Sequence, residues 1–191
     1  MASTSGAKAE RFELFTVGHS NRSIAAFLEL LHAHRVARIA DVRSAPWSRR
    51  HPWFGRDALA AALAGAGIGY RHLPELGGLR AAAPGSRHRA LPAGGFRGYA
   101  DHMGSAEFER GVASLLVWAG EGRTACMCAE ADPAQCHRGL LADALTARGI
   151  AVVHLLDHAS SRSHALHPDA VVEGGRLVYP ARPGLFDAPL P

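Results

Sequence analysis

Lysine is nearly absent: Lys8 stands alone, so the net charge of +4 in this 191-residue chain is carried almost wholly by arginine. Arginine used this way beside many alanines reflects GC-rich codon usage, so a pI of about 9.4 is not by itself a sign of nucleic-acid binding. Cysteine is scarce and odd in number, with three residues and no spaced framework, which excludes a disulfide scaffold and fits a reduced, cytoplasmic protein. No run of about 18 apolar residues occurs, so a membrane-spanning helix is excluded. The opening MASTSGAKAERF lacks the apolar core of a secretory signal and reads as a leader. Three phosphate-binding signatures are missing as well: there is no GxxxxGK[ST], no GxGxxG, and no cysteine followed six residues later by arginine. An ordinary P-loop NTPase, a simple dinucleotide binder and a tyrosine-phosphatase-like site are thereby disfavoured. No internal repeat is present.

With 48% hydrophobic and 20% charged residues, the chain is globular and long enough for one sizeable core. A single domain over 13–180 is expected, between a leader 1–12 and a loose tail 181–191. Short apolar runs at 13–17, 36–42, 68–73, 124–128 and 150–155 read as strands. Helical spacing follows the first run, with Ser23 as N-cap and Ile24, Phe27, Leu28 and Leu31 on one face. It recurs from about Asp57, from Ser105 to Ala119, and from Cys136 or His137 onward, where Gly149 supplies the stop. Residues 75–98 form a long Gly-, Pro- and Arg-rich connection, expected to be a functional lid or disordered. Residues 170–179 suggest a small hairpin around Gly174 and Gly175. This alternation predicts an α/β fold: a mostly parallel five-stranded sheet flanked by helices, in the order 3-2-1-4-5.

The chain is organised around Arg123 to Arg138, RTACMCAEADPAQCHR, which holds all three cysteines and reads as strand, polar loop and helix. In open α/β sheets ligands bind outside the carboxyl ends of the strands, where loops meet helix N-termini. Topology then brings Gly18 to Asn21 and Ala129 to His137 into one crevice, with Asp41 and Arg43 at its edge.

The segments TVGHSNRS, DVRSAPWSRR, LPELGG, FRGYADHM and CAEADPAQCHRGLLADAL, in this order, resemble the family called domain of unknown function 488. The resemblance runs from about Phe15 to Tyr179. It implies a single compact α/β domain and adds weight to His19, Asn21, Asp41, Arg43, Glu130, Cys136, His137 and Arg138, which fall on its motifs; it supplies no mechanism. Family members vary at the position of Cys126, which reads as core.

From the residues, Cys136 at a helix N-terminus beside Arg138 suits a nucleophile or redox-sensitive thiol, or else a small packed residue. Glu130 is a general base or the partner of an arginine. His19 is an acid, a base, a ligand or simply a hydrogen-bonded polar group. Arg43 and Arg138, with Asn21, His137, Asp41 and the amides of the Gly18–Asn21 turn, are expected to hold an anion such as a phosphate. Cys128, Cys136, His137 and His19 would make a soft set suited to zinc. Their spacing is not standard, however, and adjacent residues diverge on a helix, so no metal ligands are assigned and no cofactor is named. The expected function is an enzyme acting on a nucleotide or nucleic acid. The alternatives are a non-catalytic nucleic-acid-binding module using basic loops 44–56 and 80–97, and a metal or redox sensor.

Overall fold

A six-stranded sheet organises the chain in the computed structural model, which describes residues 13–181. The expected leader and nearly all of the expected tail lie outside the described residues. Strands β1 (Glu13–Gly18), β2 (Arg38–Asp41), β3 (Gly69–His72), β4 (Thr124–Cys128) and β5 (Ala151–Leu155) run parallel; β6 (Ser161–Ser163) pairs antiparallel to β5. The helices are α1 (Ile24–Ala33), α2 (Arg56–Gly65), α3 (Gly95–His102), α4 (Ala106–Ala119) and α5 (His137–Thr146). Ser23 caps α1 by accepting from the Ala26 amide, and Ser105 caps α4 by accepting from Phe108. Each cap is worth about 1 kcal/mol.

The strand order is β3-β2-β4-β1-β5-β6, which corrects the expected 3-2-1-4-5. Strand β4 inserts between β1 and β2, pairing Thr16 with Cys126 on one side and Ala40 with Cys126 on the other. All five of its residues are buried, as a central parallel strand requires. The insertion matters for the site: Asp41 pairs with Met127, so the end of β2 lies directly beside the end of β4 rather than at the margin of the crevice.

The two faces of the sheet bury different cores. Phe15, Val17, Ile39, Ala125 and Met127 pack with Phe27, Leu30 and Leu31 of α1 and with Leu59 and Leu63 of α2. On the other face, Leu14, Ala40, Cys126 and Cys128 meet Tyr99 of α3, Phe108, Val112 and Leu115 of α4, and Leu140 and Leu141 of α5. Each fully buried side chain of this size contributes about 1.5–3 kcal/mol.

Helix α3 begins inside the segment 75–98 expected to be a long connection and runs four residues past it. Its sequence, GFRGYADH, has poor intrinsic helix propensity. Tertiary packing holds it: Tyr99 is fully buried and its hydroxyl donates to the Leu76 carbonyl at 3.2 Å. The C-terminal hairpin is present as expected, β7 (Val171–Glu173) and β8 (Arg176–Val178) turning through Gly174 and Gly175, both at positive φ. A buried polar chain ties this end to the sheet. Thr16 Oγ1 meets His154 Nδ1 at 2.7 Å, His154 Nε2 meets His164 Nδ1 at 2.9 Å, and His164 Nε2 meets Asp143 at 2.8 Å; the Tyr179 hydroxyl donates to the other Asp143 oxygen at 2.8 Å.

Candidate functional site

At the carboxyl ends of β1, β2 and β4 lies an open cleft of about 700 Å³, lined among others by His19, Arg43, Trp47, Cys128, Glu130, Cys136 and His137. Segments far apart in sequence converge there, as the topology of parallel strands dictates.

One wall is an ion pair turned into scaffolding. Arg43 donates from Nε to one oxygen of Asp41 at 2.9 Å and from a terminal nitrogen to the other at 2.6 Å. Its remaining terminal nitrogen donates to the Phe54 carbonyl at 2.9 Å and faces His19 Nε2 at 3.3 Å. Tyr70 donates its hydroxyl to Asp41 at 2.8 Å. Asp41 is fully buried and Arg43 nearly so. Expected as an anion holder, Arg43 is therefore already neutralised by the second residue before it. The His19 ring stacks on Phe54 with centroids 4.1 Å apart, and its Nδ1 lies 2.9 Å from the Ser20 carbonyl. A carbonyl only accepts, so Nδ1 carries the proton and Nε2 turns its lone pair to Arg43. Burial, then the neighbouring Arg43, lower the His19 pKa to about 4 against the opposing Ser20 contact, leaving a neutral ring. Both ring nitrogens are engaged, which removes His19 from the ligand set considered from the sequence.

The turn after β1 does not make the expected anion pocket. The His19 and Ser20 amides donate to the carbonyls of Cys128 and Ala129 at 3.0 and 2.7 Å, and Ser20 sits at φ 51°. Asn21 is exposed and lies outside the cleft lining. Arg138 is also placed otherwise than expected. It is 1% exposed and points beneath the loop after β4, donating to Thr16 Oγ1 at 3.0 Å and to the carbonyls of Glu130 and Ala131. Its work is to hold that loop down. Gly18 permits the close approach: a Cβ there would lie 1.8 Å from the Glu130 carbonyl oxygen. The Glu130 side chain is left exposed at the cleft, with no hydrogen bond or ion pair among the described residues.

The floor is formed by Cys128, Cys136 and His137. Cys136 is not helical: at φ −138° and ψ 146° it is the extended cap of α5, and the helix begins with His137. The expected divergence of adjacent side chains therefore does not apply. His137 Nε2 lies 3.0 Å from the Val42 carbonyl, which fixes the proton on Nε2 and leaves the Nδ1 lone pair facing both sulfurs. The sulfurs of Cys128 and Cys136 are 3.8 and 3.7 Å from Nδ1, and all three atoms lie within 4.8 Å of one another. A hydrogen bond from Cys128 pulls the Cys136 thiol below its ordinary range against the cost of burial, with help from Arg138. The same bond and burial push Cys128 up, so of the two sulfurs Cys136 is the one favoured as the thiolate. Burial pushes Cys126, deep in the core, up to about 12. It belongs to the core, as read from the sequence. The arrangement brings two sulfurs and an imidazole lone pair together around one point.

Two contributors to the site were not singled out from the sequence. Gly78 packs against His137, where a Cβ would lie 2.3 Å from Nδ1; the paired glycines of LPELGG were the available signal. Trp47, within basic loop 44–56, lines the rim at 64% exposure, with the Arg49 guanidinium 5.8 Å from its ring. Arg50 also lines the cleft, exposed and without a hydrogen bond or ion pair among the described residues. The other basic loop is largely committed to structure. Arg80 forks onto Glu107, Arg87 pairs with Glu173, and Arg97 donates to the Leu91 carbonyl at 2.9 Å.

Comparison with known proteins leaves the site without a described counterpart. No curated protein and no solved structure matches the chain. Among the described residues no helix is long and apolar enough to cross a membrane. The profile of one family, described as domain of unknown function DUF488, matches residues 23–145, more than half of the chain, which therefore belongs to that family.

Proposed function

We propose that this member of the DUF488 family is an enzyme that acts on an anionic, phosphate-bearing substrate, a nucleotide or nucleic acid, bound in the cleft at the carboxyl ends of β1, β2 and β4. The observation that carries the reading is the pairing of rim and floor. The rim presents Trp47, 64% exposed, and Arg50, free of partners among the described residues, above a floor of electron-pair donors. An exposed indole beside free guanidinium groups suits stacking on a base with contact to phosphate, because every base has a π-face and every nucleotide a charge. Anion holding passes from Arg43 and Arg138, both committed elsewhere, to Arg50. Glu130, the uncommitted carboxylate, moves the proton, and Cys128, Cys136 and His137 form the reacting centre. Reaction of the hydrolytic or group-transfer class fits these groups, and free thiols suit the reducing cytoplasm.

A panel of mononucleotides and oligonucleotides, followed by thermal melting and tryptophan fluorescence of the full chain, tests the reading. A nucleotide that stabilises the protein should lose affinity roughly 5- to 150-fold in Trp47→Ala, since stacking is worth about 1–3 kcal/mol per base. Glu130→Gln should retain binding and abolish turnover. No response to any member of the panel overturns the reading. Binding of oligonucleotides alone, steeply weakened by salt and with no turnover to lose, would instead mark a non-catalytic binding module.

A further inference from the structure

We infer that Cys128, Cys136 and His137 are three protein ligands of a transition metal of the zinc class, whose fourth coordination position opens into the cleft. Three independent features of the fold converge on this. The first is distance. With metal–sulfur bonds of about 2.3 Å and metal–nitrogen bonds of about 2.0–2.1 Å, a tetrahedron has sulfur–nitrogen edges of about 3.5–3.6 Å. The sulfur–nitrogen edges here are 3.8 and 3.7 Å, a few tenths of an ångström from ligating geometry. All three donor atoms lie within 4.8 Å of one another, so the two sulfurs need to close by at most about 1 Å onto a tetrahedral edge of about 3.8 Å. The second is orientation. His137 directs the Nδ1 lone pair at the two sulfurs because Nε2–H is held by the Val42 carbonyl, which is the outer-shell contact that fixes the tautomer of a metal-bound imidazole. The third is clearance: Gly78 packs against the His137 ring, where any Cβ would come to 2.3 Å from Nδ1 and displace the imidazole.

Sequence spacing hides this set. Cys128 ends a strand, while Cys136 and His137 are neighbours, and they share a focus only because Cys136 is extended and His137 begins the helix. Two thiolates and an imidazole are soft and borderline donors, matched to zinc rather than to magnesium or calcium. Three protein ligands with an open fourth position is the pattern of a catalytic rather than a structural zinc site. The site stands on the geometry of its donors; its use in turnover rests on the function proposed above.

The test uses the full wild-type chain, freed of metal by chelator and titrated with zinc and, separately, cobalt. One metal ion per chain is expected, with a thiolate-to-cobalt charge-transfer band and tetrahedral visible bands. Zinc should protect Cys128 and Cys136 from alkylation, read residue by residue by mass spectrometry. Cys136→Ser and His137→Ala should each weaken binding by about 100-fold or more, beyond the loss brought by an outer-shell change. Equal alkylation with and without zinc in the wild-type chain, or a Cys128–Cys136 disulfide in place of bound metal, overturns the site even where the variants fail to fold. Trp47→Ala separates the two proposals. It should bind cobalt as the wild type does while losing nucleotide, so metal bound without any nucleotide response sinks the substrate reading alone, and nucleotide bound without metal sinks this one alone.

Discussion

Replacing Asp41 by asparagine tests the wall of the cleft most directly. The Asp41 carboxylate accepts from Arg43 Nε at 2.9 Å, from an Arg43 terminal nitrogen at 2.6 Å, from the Arg43 backbone amide at 3.1 Å and from the Tyr70 hydroxyl at 2.8 Å. An asparagine of nearly the same volume keeps one acceptor oxygen. In either orientation its amino group faces a nitrogen of the Arg43 guanidinium, together with the Arg43 backbone amide in one and the Tyr70 hydroxyl in the other, a donor set against donors. The charge of Arg43, only 6% exposed, is left without its counter-ion. Breaking one side of such a buried pair costs about 3–5 kcal/mol. For a domain of this size a urea m-value of about 2–3 kcal/mol/M converts that loss into a midpoint lower by roughly 1–2.5 M. The assay is equilibrium urea unfolding followed by circular dichroism, with m required to stay constant. The double replacement Asp41→Leu with Arg43→Met should recover much of the loss, because an apolar pair of similar volume leaves no stranded charge. A single variant that loses less than about 1 kcal/mol would refute the argument, for the pair would then behave like an exposed one.

The pH dependence of stability follows from the buried histidines. His19 and His154 are held neutral by burial, each with its pKa lowered from 6.5 to about 4, so the unfolded chain takes up their protons first. Stability should therefore be whole above about pH 6.5 and fall between there and about pH 4, by up to about 3 kcal/mol per ring. His19→Gln should flatten this slope in chemical denaturation at stepped pH, and an unchanged slope would contradict it. Gly78→Ala drives a methyl group to 2.3 Å from His137 Nδ1. Urea unfolding should register a loss of about 1–3 kcal/mol from overpacking. Tyr179→Phe removes the hydroxyl that donates to buried Asp143 at 2.8 Å and should cost about 1–3 kcal/mol. A loss below a few tenths, measured the same way, would mean that water replaces it.

The fold was legible wherever local pattern decides. Alternating apolar runs and helical spacing located the five parallel strands, and Ser23, Ser105, Gly149 and the Gly174–Gly175 turn marked their ends through short-range hydrogen bonds and backbone freedom. The strand order was not legible. Both β1 and β4 are almost wholly buried runs, and nothing in composition says which of the two neighbours β2. Helix α3 was missed because its residues favour a loop, and only the burial of Tyr99 between α4 and α5 holds it helical. Short strand β6, SRS, carries no periodic signal and exists because it pairs with the edge of β5.

The candidate site shows where residue-type reasoning succeeds and where it stops. Placing chemistry at the loop after β4 needed only parallel topology, and Glu130, Cys136, His137 and His19 do line one cleft. Assigning roles needed to know which charges were already spent. Arg43 and Arg138 both read from the sequence as anion holders, yet one is consumed by Asp41 and the other by backbone carbonyls. The decisive detail is smaller still. Had Cys136 been the first residue of α5, its side chain would have turned away from His137, and the donors would not have met. The short turn at 133–135 that precedes it, begun by Pro133 and capped by Asp132, sets Cys136 in extended backbone instead. A rotation of two dihedral angles thus separates two buried thiols from a three-donor set, and no pattern of residue types records it.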